Sequence, residues 1–343
     1  MPYTVKSTER TNKKCADMET KALLYLMNFR SDSNEIFYFV IDFFNDVTGM
    51  TRYADKLWDV QSKAASGSSP KAIGRELVTL FKNYLSDLDF SAYILFAGGV
   101  SNTFRIDETK SIFGIENIKS NALKKVKAGL IEEANNKEYI EDKTQITDNN
   151  VDVFLENVLF VIDEKNEIEY VREIVKNHPN IIPDDSVLHA IFNEIRGEQS
   201  TKKENQIVEN IIINTPDEVI ALRRHLTSSE IKLLALQRII NRNPLKDSIP
   251  LNFLNVINRI PPQFQTEQLE GCQQDLCRAL FNNTLAEEFW NLFATIYALL
   301  RDNPTDDVEA IYHRIPNDVR DRVTDLNVLS LKYFIAMLKD GLS

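Results

Sequence analysis

Three side chains in the first fifth of the chain have types and spacing that could do chemistry: Asp46, Gln61 and Lys63. Gln61 and Lys63 stand two apart in DKLWDVQSKAA (55–65), which reads as a strand ended by SGSSP. Side chains alternate faces along a strand, so Leu57, Asp59, Gln61 and Lys63 share one side while Trp58, Val60, Ser62 and Ala64 share the other. The same count on the preceding EIFYFVIDFFNDV puts Asp42, Phe44 and Asp46 in step. If the two strands are neighbours, Asp46, Gln61 and Lys63 converge at one end of a sheet. A carboxylate, an amide oxygen and an ammonium in one cleft suit a hard cation such as Mg²⁺, with Mn²⁺ as a substitute. Asp46 and Gln61 would ligate, and Lys63 would orient or activate the attacking water. Phosphodiester hydrolysis is the chemistry that uses this set.

Each residue also has a plainer role open to it. Asp46 could cap the strand end or form a turn with Thr48, and Lys63 could be a charge that protects an edge strand. Asp55 and Asp59 could be solvated or salt-bridged. Lys71 and Arg75, one turn apart on the following helix, could touch a phosphate backbone or simply face water. The same two readings apply to Lys124 and Lys125 with Lys127, to Lys202 and Lys203, and to Arg223, Arg224 and His225. None of His178, His189, His225 and His313 has a partner at metal-ligand spacing, and Cys15, Cys272 and Cys277 form no disulfide framework.

The elements that must position these residues can be read along the chain. Residues 15–30 read as one amphipathic helix. EIFYFVIDFFNDV (35–47) is dense in aromatic and β-branched residues and reads as a strand, continued by Val47–Met50 after a bend at Gly49. Lys56–Ala65 is the next strand. Pro70, capped by Ser68 or Ser69, opens a helix with apolar positions from Ile73 to Leu88. FSAYILFA (90–97) reads as a buried strand. Lys119–Lys127 reads as a basic helix, followed by a polar connection, and VDVFLENVLFVID (151–163) rejoins the first core. Beyond about 165 the pattern is helices with polar junctions, including EIEYVREIVKNH and PDEVIALRRHL, punctuated by Pro244, Pro250, Pro261–Pro262, Pro304 and Pro316. The expected fold class is α/β (α+β) over residues 1–205, followed by an all-α domain over 206–343.

Composition bounds the function. With 343 residues the chain is long enough for two domains, and only 10 glycines favour a helix-rich chain with few tight turns. The net charge of −11 argues against wholesale coating of nucleic acid, which needs a basic domain, but leaves room for a local basic groove. The opening MPYTVKSTERTNKK has no apolar signal core, and no run approaches a membrane span, so the expectation is a cytoplasmic, reducing setting with no membrane partner.

The helix–strands–QSK–helix–strand order, with Asp46 fifteen residues before Gln61, resembles the restriction-endonuclease-like nuclease superfamily. Its motif is an Asp, a loop or hairpin, then Glu/Gln-x-Lys on the next strand. FFNDV, QSKA, the Pro70 helix and YILFAGG resemble most closely the double-stranded-DNA endonuclease domains of bacterial anti-phage effectors, many of which carry Gln in place of Glu. AIFNEIRGEQSTKK (190–203) resembles the segment that closes such domains, so the resemblance spans roughly 15–205. It implies a restriction-endonuclease-like core, a Mg²⁺-dependent endonuclease acting on DNA, and Asp46, Gln61 and Lys63 as its site. Gln61 carries one charge fewer than Glu, so a second carboxylate is expected to assist; Asp42 and Asp59 rank above Glu19 and Glu35. Related effectors stay silent until partners release them or they oligomerise. The short, helical second half fits the nuclease subunit of a Lamassu-type defence complex, with an SMC-like ATPase and accessory subunits, better than a second-messenger sensor. The alternative is a nuclease-fold adaptor without activity.

Overall fold

The computed structural model describes residues 3–5, 13–175, 184–204, 208–241, 243, 248–282 and 284–342. The chain divides into two units: Met1–Tyr170 with Glu194–Ser228, and Val171–Asn193 with Ser229–Ser343. The expected division at 205/206 falls in a stretch outside the described residues, as do His178 and Pro244.

The first unit is mixed α/β. Its elements are β1 (Tyr3–Thr4), α1 (Lys13–Asn28), β2 (Tyr38–Ile41), β3 (Val47–Met50), β4 (Leu57–Lys63), α2 (Pro70–Glu76), α3 (Val78–Tyr84) and β5 (Ala92–Ala97). Then come β6 (Ile112–Phe113), α4 (Ser120–Asn136), α5 (Asp148–Glu156), β7 (Val158–Ile162), α6 (Glu167–Ile174), α7 (Asp185–Glu204), β8 (Ile212–Ile213), α8 (Glu218–Ala221) and β9 (His225–Thr227). The unit boundary crosses both α6 and α7. A seven-stranded sheet runs in the order β6-β7-β5-β4-β3-β2-β9; β2, β3 and β4 are antiparallel neighbours, and β4, β5 and β7 are parallel.

Three local readings change. The run 35–50 is a hairpin: β2 ends at Ile41, which pairs with Val47, and residues 42–46 form the connection. Gly49 lies within β3, opposite Phe39 and Trp58, with no bend there; an added Cβ would come 3.1 Å from Ile36, so its role is to let Ile36 and α1 pack close. Second, α4 runs past Lys127 to Asn136, into the first residues of the stretch read as polar connection, and buries Leu130 and Ala134. Third, PDEVIALRRHL gives only the four-residue α8. Arg223 then takes a left-handed backbone (φ 55) that stops the helix, and His225–Thr227 add a strand beside β2. The run 151–163 rejoins the first core as α5 followed by β7.

Ser69 caps α2 through the Ala72 N–H, with Pro70 in the first turn. Helix α2 packs on α4 at a reciprocal glycine contact. A Cβ on Gly74 would lie 2.0 Å from the Val126 oxygen, and one on Gly129 would lie 2.2 Å from the Lys71 oxygen. Only hydrogen allows these backbones to touch.

The second unit is helical: α9 (Ser228–Ile240), α10 (Leu254–Ile257), α11 (Pro262–Phe281), α12 (Ala286–Asp302), α13 (Val308–Arg314), α14 (Asn317–Arg320) and α15 (Val328–Leu342). Its core gathers Phe253, Phe289, Trp290, Phe293, Tyr333 and Phe334. Pro262 opens α11, Pro316 stands just before α14, and Pro304 separates α12 from α13. No helix among the described residues is long and apolar enough to cross a membrane.

Candidate active site

Strand β4 lies in the middle of the sheet and buries Asp59, Gln61 and Ser62. Polar groups buried in a central strand need partners, and these residues find them in two layers.

The lower layer is centred on Asp59, which is fully buried. Its Oδ2 accepts from Asn83 Nδ2 at 2.6 Å and its Oδ1 from Thr48 Oγ1 at 3.0 Å. Asn83 Nδ2 also reaches the Phe44 carbonyl at 3.1 Å, and Tyr3 donates to Asn83 Oδ1 at 2.8 Å. Burial pushes the Asp59 carboxyl up to about 7 against the pull of Asn83, Thr48 and Asn45. This network fastens the 42–46 connection to α3 from below.

The upper layer opens on a cavity of about 320 Å³ whose lining includes Asp42, Asp46, Gln61, Lys63, Glu76 and Thr79. Asp42 and Asp46 belong to the hairpin connection, closed by Asp42 N–H on the Asp46 carbonyl at 3.0 Å. Asp42 sits in the left-handed region (φ 49), which Asp tolerates better than most residues. Asp46 Oδ2 accepts three hydrogen bonds, from Ser62 N (2.7 Å), Ser62 Oγ (2.8 Å) and Gln61 Nε2 (2.9 Å). Burial raises its carboxyl, opposed by the Ser62 N–H, then by Lys63, the Ser62 hydroxyl and Lys203. Gln61 Oε1 accepts from Thr79 Oγ1 at 2.7 Å, and Lys63 Nζ lies 3.0 Å from Glu76 Oε2.

Two cations reach this site from later in the chain. Arg224, buried next to β9, pairs with Asp42 at 3.1 Å, and Lys203 of α7 pairs with Glu19 of α1 at 2.6 Å. Burial lifts Glu19 to about 7; Lys203 opposes this, while Asp46 and Asp42 push the same way. Three carboxylates therefore feel one another.

The structure thus brings Asp46, Gln61, Lys63 and Asp42 to one cavity and places Asp59 beneath it. Glu19 and Asp59 both feel the charge of Asp46, whereas Glu35 pairs with Lys56 before the opposite end of β4. Arg75 lines the cavity, and Arg75 and Lys71 both bind Glu132 at 2.6 Å. Lys124 and Lys125 are exposed on α4. The sequence reading passed over Ser62, Thr79 and Glu76. Glu76 and Thr79 are spaced as neighbours three apart after Pro70, a signal that a helix facing the QSK strand could have supplied.

No group of three or more His, Cys, Asp and Glu side chains arranged to hold a metal occurs among the described residues. The donor set still fits a hard cation of the Mg²⁺ kind, which takes one or two carboxylates and completes its shell with water and phosphate. The three hydrogen bonds to Asp46 all fall on Oδ2, one of them from the Gln61 amide, and the charge of Asp46 helps to raise the Glu19 carboxyl. Comparison with family models, curated proteins and solved structures gave no match.

Proposed function

We propose that the chain is a divalent-cation-dependent DNA endonuclease whose site is Asp46, Gln61 and Lys63, with Glu19 as the assisting carboxylate. The observation that carries this reading is the single cavity in which Asp46, on the β2–β3 connection, meets Gln61 and Lys63 at the end of β4. The order α1-β2-β3-β4-α2-α3-β5 around them supports the restriction-endonuclease-like assignment.

Asp46 Oδ1, Glu19 and the Gln61 amide oxygen would hold the cation, which supplies Lewis acidity and lowers the acidity barrier of a bound water. Turning the Gln61 amide by half a turn presents its oxygen to Asp46 and its NH₂ to the Thr79 hydroxyl, which can accept as well as donate. Ser62 fixes Asp46 through two hydrogen bonds. Lys63, poised by Glu76, faces the cavity and orients the water against the phosphate. Arg75 and Lys137 on the same wall can meet phosphate oxygens.

A net charge of −11 gives weak or repulsive long-range attraction to DNA, which favours control by partners or by self-association. By resemblance, those partners are an SMC-like ATPase and accessory subunits of a Lamassu-type system. One observation favours the adaptor reading instead: Glu19, Asp42 and Lys63 are each already paired with an opposite charge of the chain.

The test is cleavage of linear and supercoiled plasmid in Mg²⁺ by the purified chain, alone and with the proteins encoded beside it. Wild type is expected to cut, and Lys63→Ala to fold but lose at least 100-fold in rate, on the order expected for a proton-transfer group. Undiminished cutting by Lys63→Ala would sink the assignment. Binding of partners with no cutting under any condition would leave the adaptor.

A further inference from the structure

Lys203 is delivered to Glu19 by a built contact. Along α7, Arg196, Gln199 and Lys203 fall on one helix face, three and four residues apart. Each meets α1: Arg196 pairs with Asp17, Gln199 meets the Thr20 hydroxyl at 2.6 Å, and Lys203 pairs with Glu19. The last pair is the most enclosed of the ion pairs on this face, with side chains 15% and 9% exposed, whereas Arg196 and Asp17 are 23% and 28% exposed. Its charge also opposes the rise of the Asp46 carboxyl, after the Ser62 N–H, Lys63 and the Ser62 hydroxyl.

A positive charge paired with Glu19, one of the two carboxylates that would take a divalent cation, opposes that cation's own charge. Two cations on one enclosed carboxylate repel each other, and little water is present to screen them. We infer that Lys203 is an internal competitor for the divalent cation: its ammonium neutralises Glu19 in the resting chain and must yield for the cation to bind. The inference rests on the reading of Asp46 and Glu19 as a cation site, and adds what sets its affinity. It also ties cation loading to the part of α7 that meets α1 through Arg196, Gln199 and Lys203. The affinity for the cation then depends on how α7 is seated along α1.

The experiment is Mn²⁺ titration of the full chain by calorimetry at pH 8, with melting curves to confirm that each variant is folded. Lys203→Met is expected to bind Mn²⁺ about tenfold more tightly than wild type, a conservative figure for removing one charge beside a carboxylate pair. Lys203→Gln, which keeps a hydrogen bond to Glu19, serves if Lys203→Met fails to fold and is expected to show the same gain. Lys203→Arg is expected to match wild type, and adding Glu19→Gln to Lys203→Met is expected to cancel the gain. Were Lys203→Met and Lys203→Gln to bind Mn²⁺ as wild type does, with Asp46→Asn abolishing binding, Lys203 would be only a brace between helices. The cation site would then survive and this inference would fall. Absence of Mn²⁺ binding by wild type and by both Lys203 variants would instead remove the cation-site reading itself.

Discussion

Asp59 and Gln61 are neighbours on one face of β4, yet burial gives them opposite work. Asp59 is a carboxylate with hydrogen-bond donors but no cation beside it, so the folded chain favours its protonated form. An unfolded Asp titrates near 3.9, so folding binds a proton across the interval from there to about 7. The stabilisation is complete below the lower value and is lost as pH rises through the upper one. In EDTA, raising pH from 6 to 8 should cost wild type on the order of 1 kcal/mol through this group. Asp59→Asn should lose that share of the dependence, leaving the part due to Glu19, which titrates in the same direction; melting at several pH values checks it. For Gln61 the hydrogen-bond partner matters. Thr79→Val cannot accept from the turned amide, and Mn²⁺ affinity should fall roughly tenfold, as for loss of an outer partner of a ligand.

At the scale of elements, the α2–α4 glycine contact sets where Glu76 and Thr79 stand. Gly74→Ala forces a methyl group into the Val126 and Leu130 backbone, which has no soft side chain to yield. A loss of about 3 kcal/mol is expected. The melting point should fall by roughly 6–12 °C. Because Glu76 ends α2, Lys63 should also lose its pairing with Glu76, and under the proposed nuclease function the variant should cleave more slowly than its residual folded fraction explains.

The first helix, the QSK strand and the start of the Pro70 helix were legible because local pattern and tertiary environment agree there, although the Pro70 run to Leu88 divides into α2 and α3. The 42–46 connection was not, since Phe43 and Phe44 look like strand residues but serve as buried anchors for a turn. Nor was β9, whose three residues follow a helical run broken only by the backbone of Arg223. That Asp46, Gln61 and Lys63 lie together at one cavity could be read from spacing on two adjacent segments. Lys203 and Arg224 could not: their partners are 184 and 182 residues away, and such pairing leaves no local signature.

The whole chain is acidic, and the three cations that line the cavity, Lys63, Arg75 and Lys137, each pair with a glutamate. Fluorescence anisotropy with a labelled duplex at physiological salt should give a Kd weaker than about 10 μM for the chain alone, in the range of non-specific binding. Few phosphates would be neutralised, so the logarithmic salt slope should stay shallow, near −2 to −3, by the same relation. Nanomolar binding with a steep slope would point to a basic surface that the charge distribution does not provide.

The order of the site's parts along the chain has a consequence for how it is made. Glu19, Asp42, Asp46, Gln61 and Lys63 all leave the ribosome early, and Arg224 follows Lys63 about 160 residues later. At about 5–20 residues per second that interval lasts roughly 10–30 s. During it the nascent carboxylates lack the counter-ions that the finished protein gives them, and β2 lacks its outer neighbour β9. Nascent chains stalled before residue 203 should therefore bind Mn²⁺ more tightly than the released protein does, a difference readable by Mn²⁺ relaxation on stalled complexes.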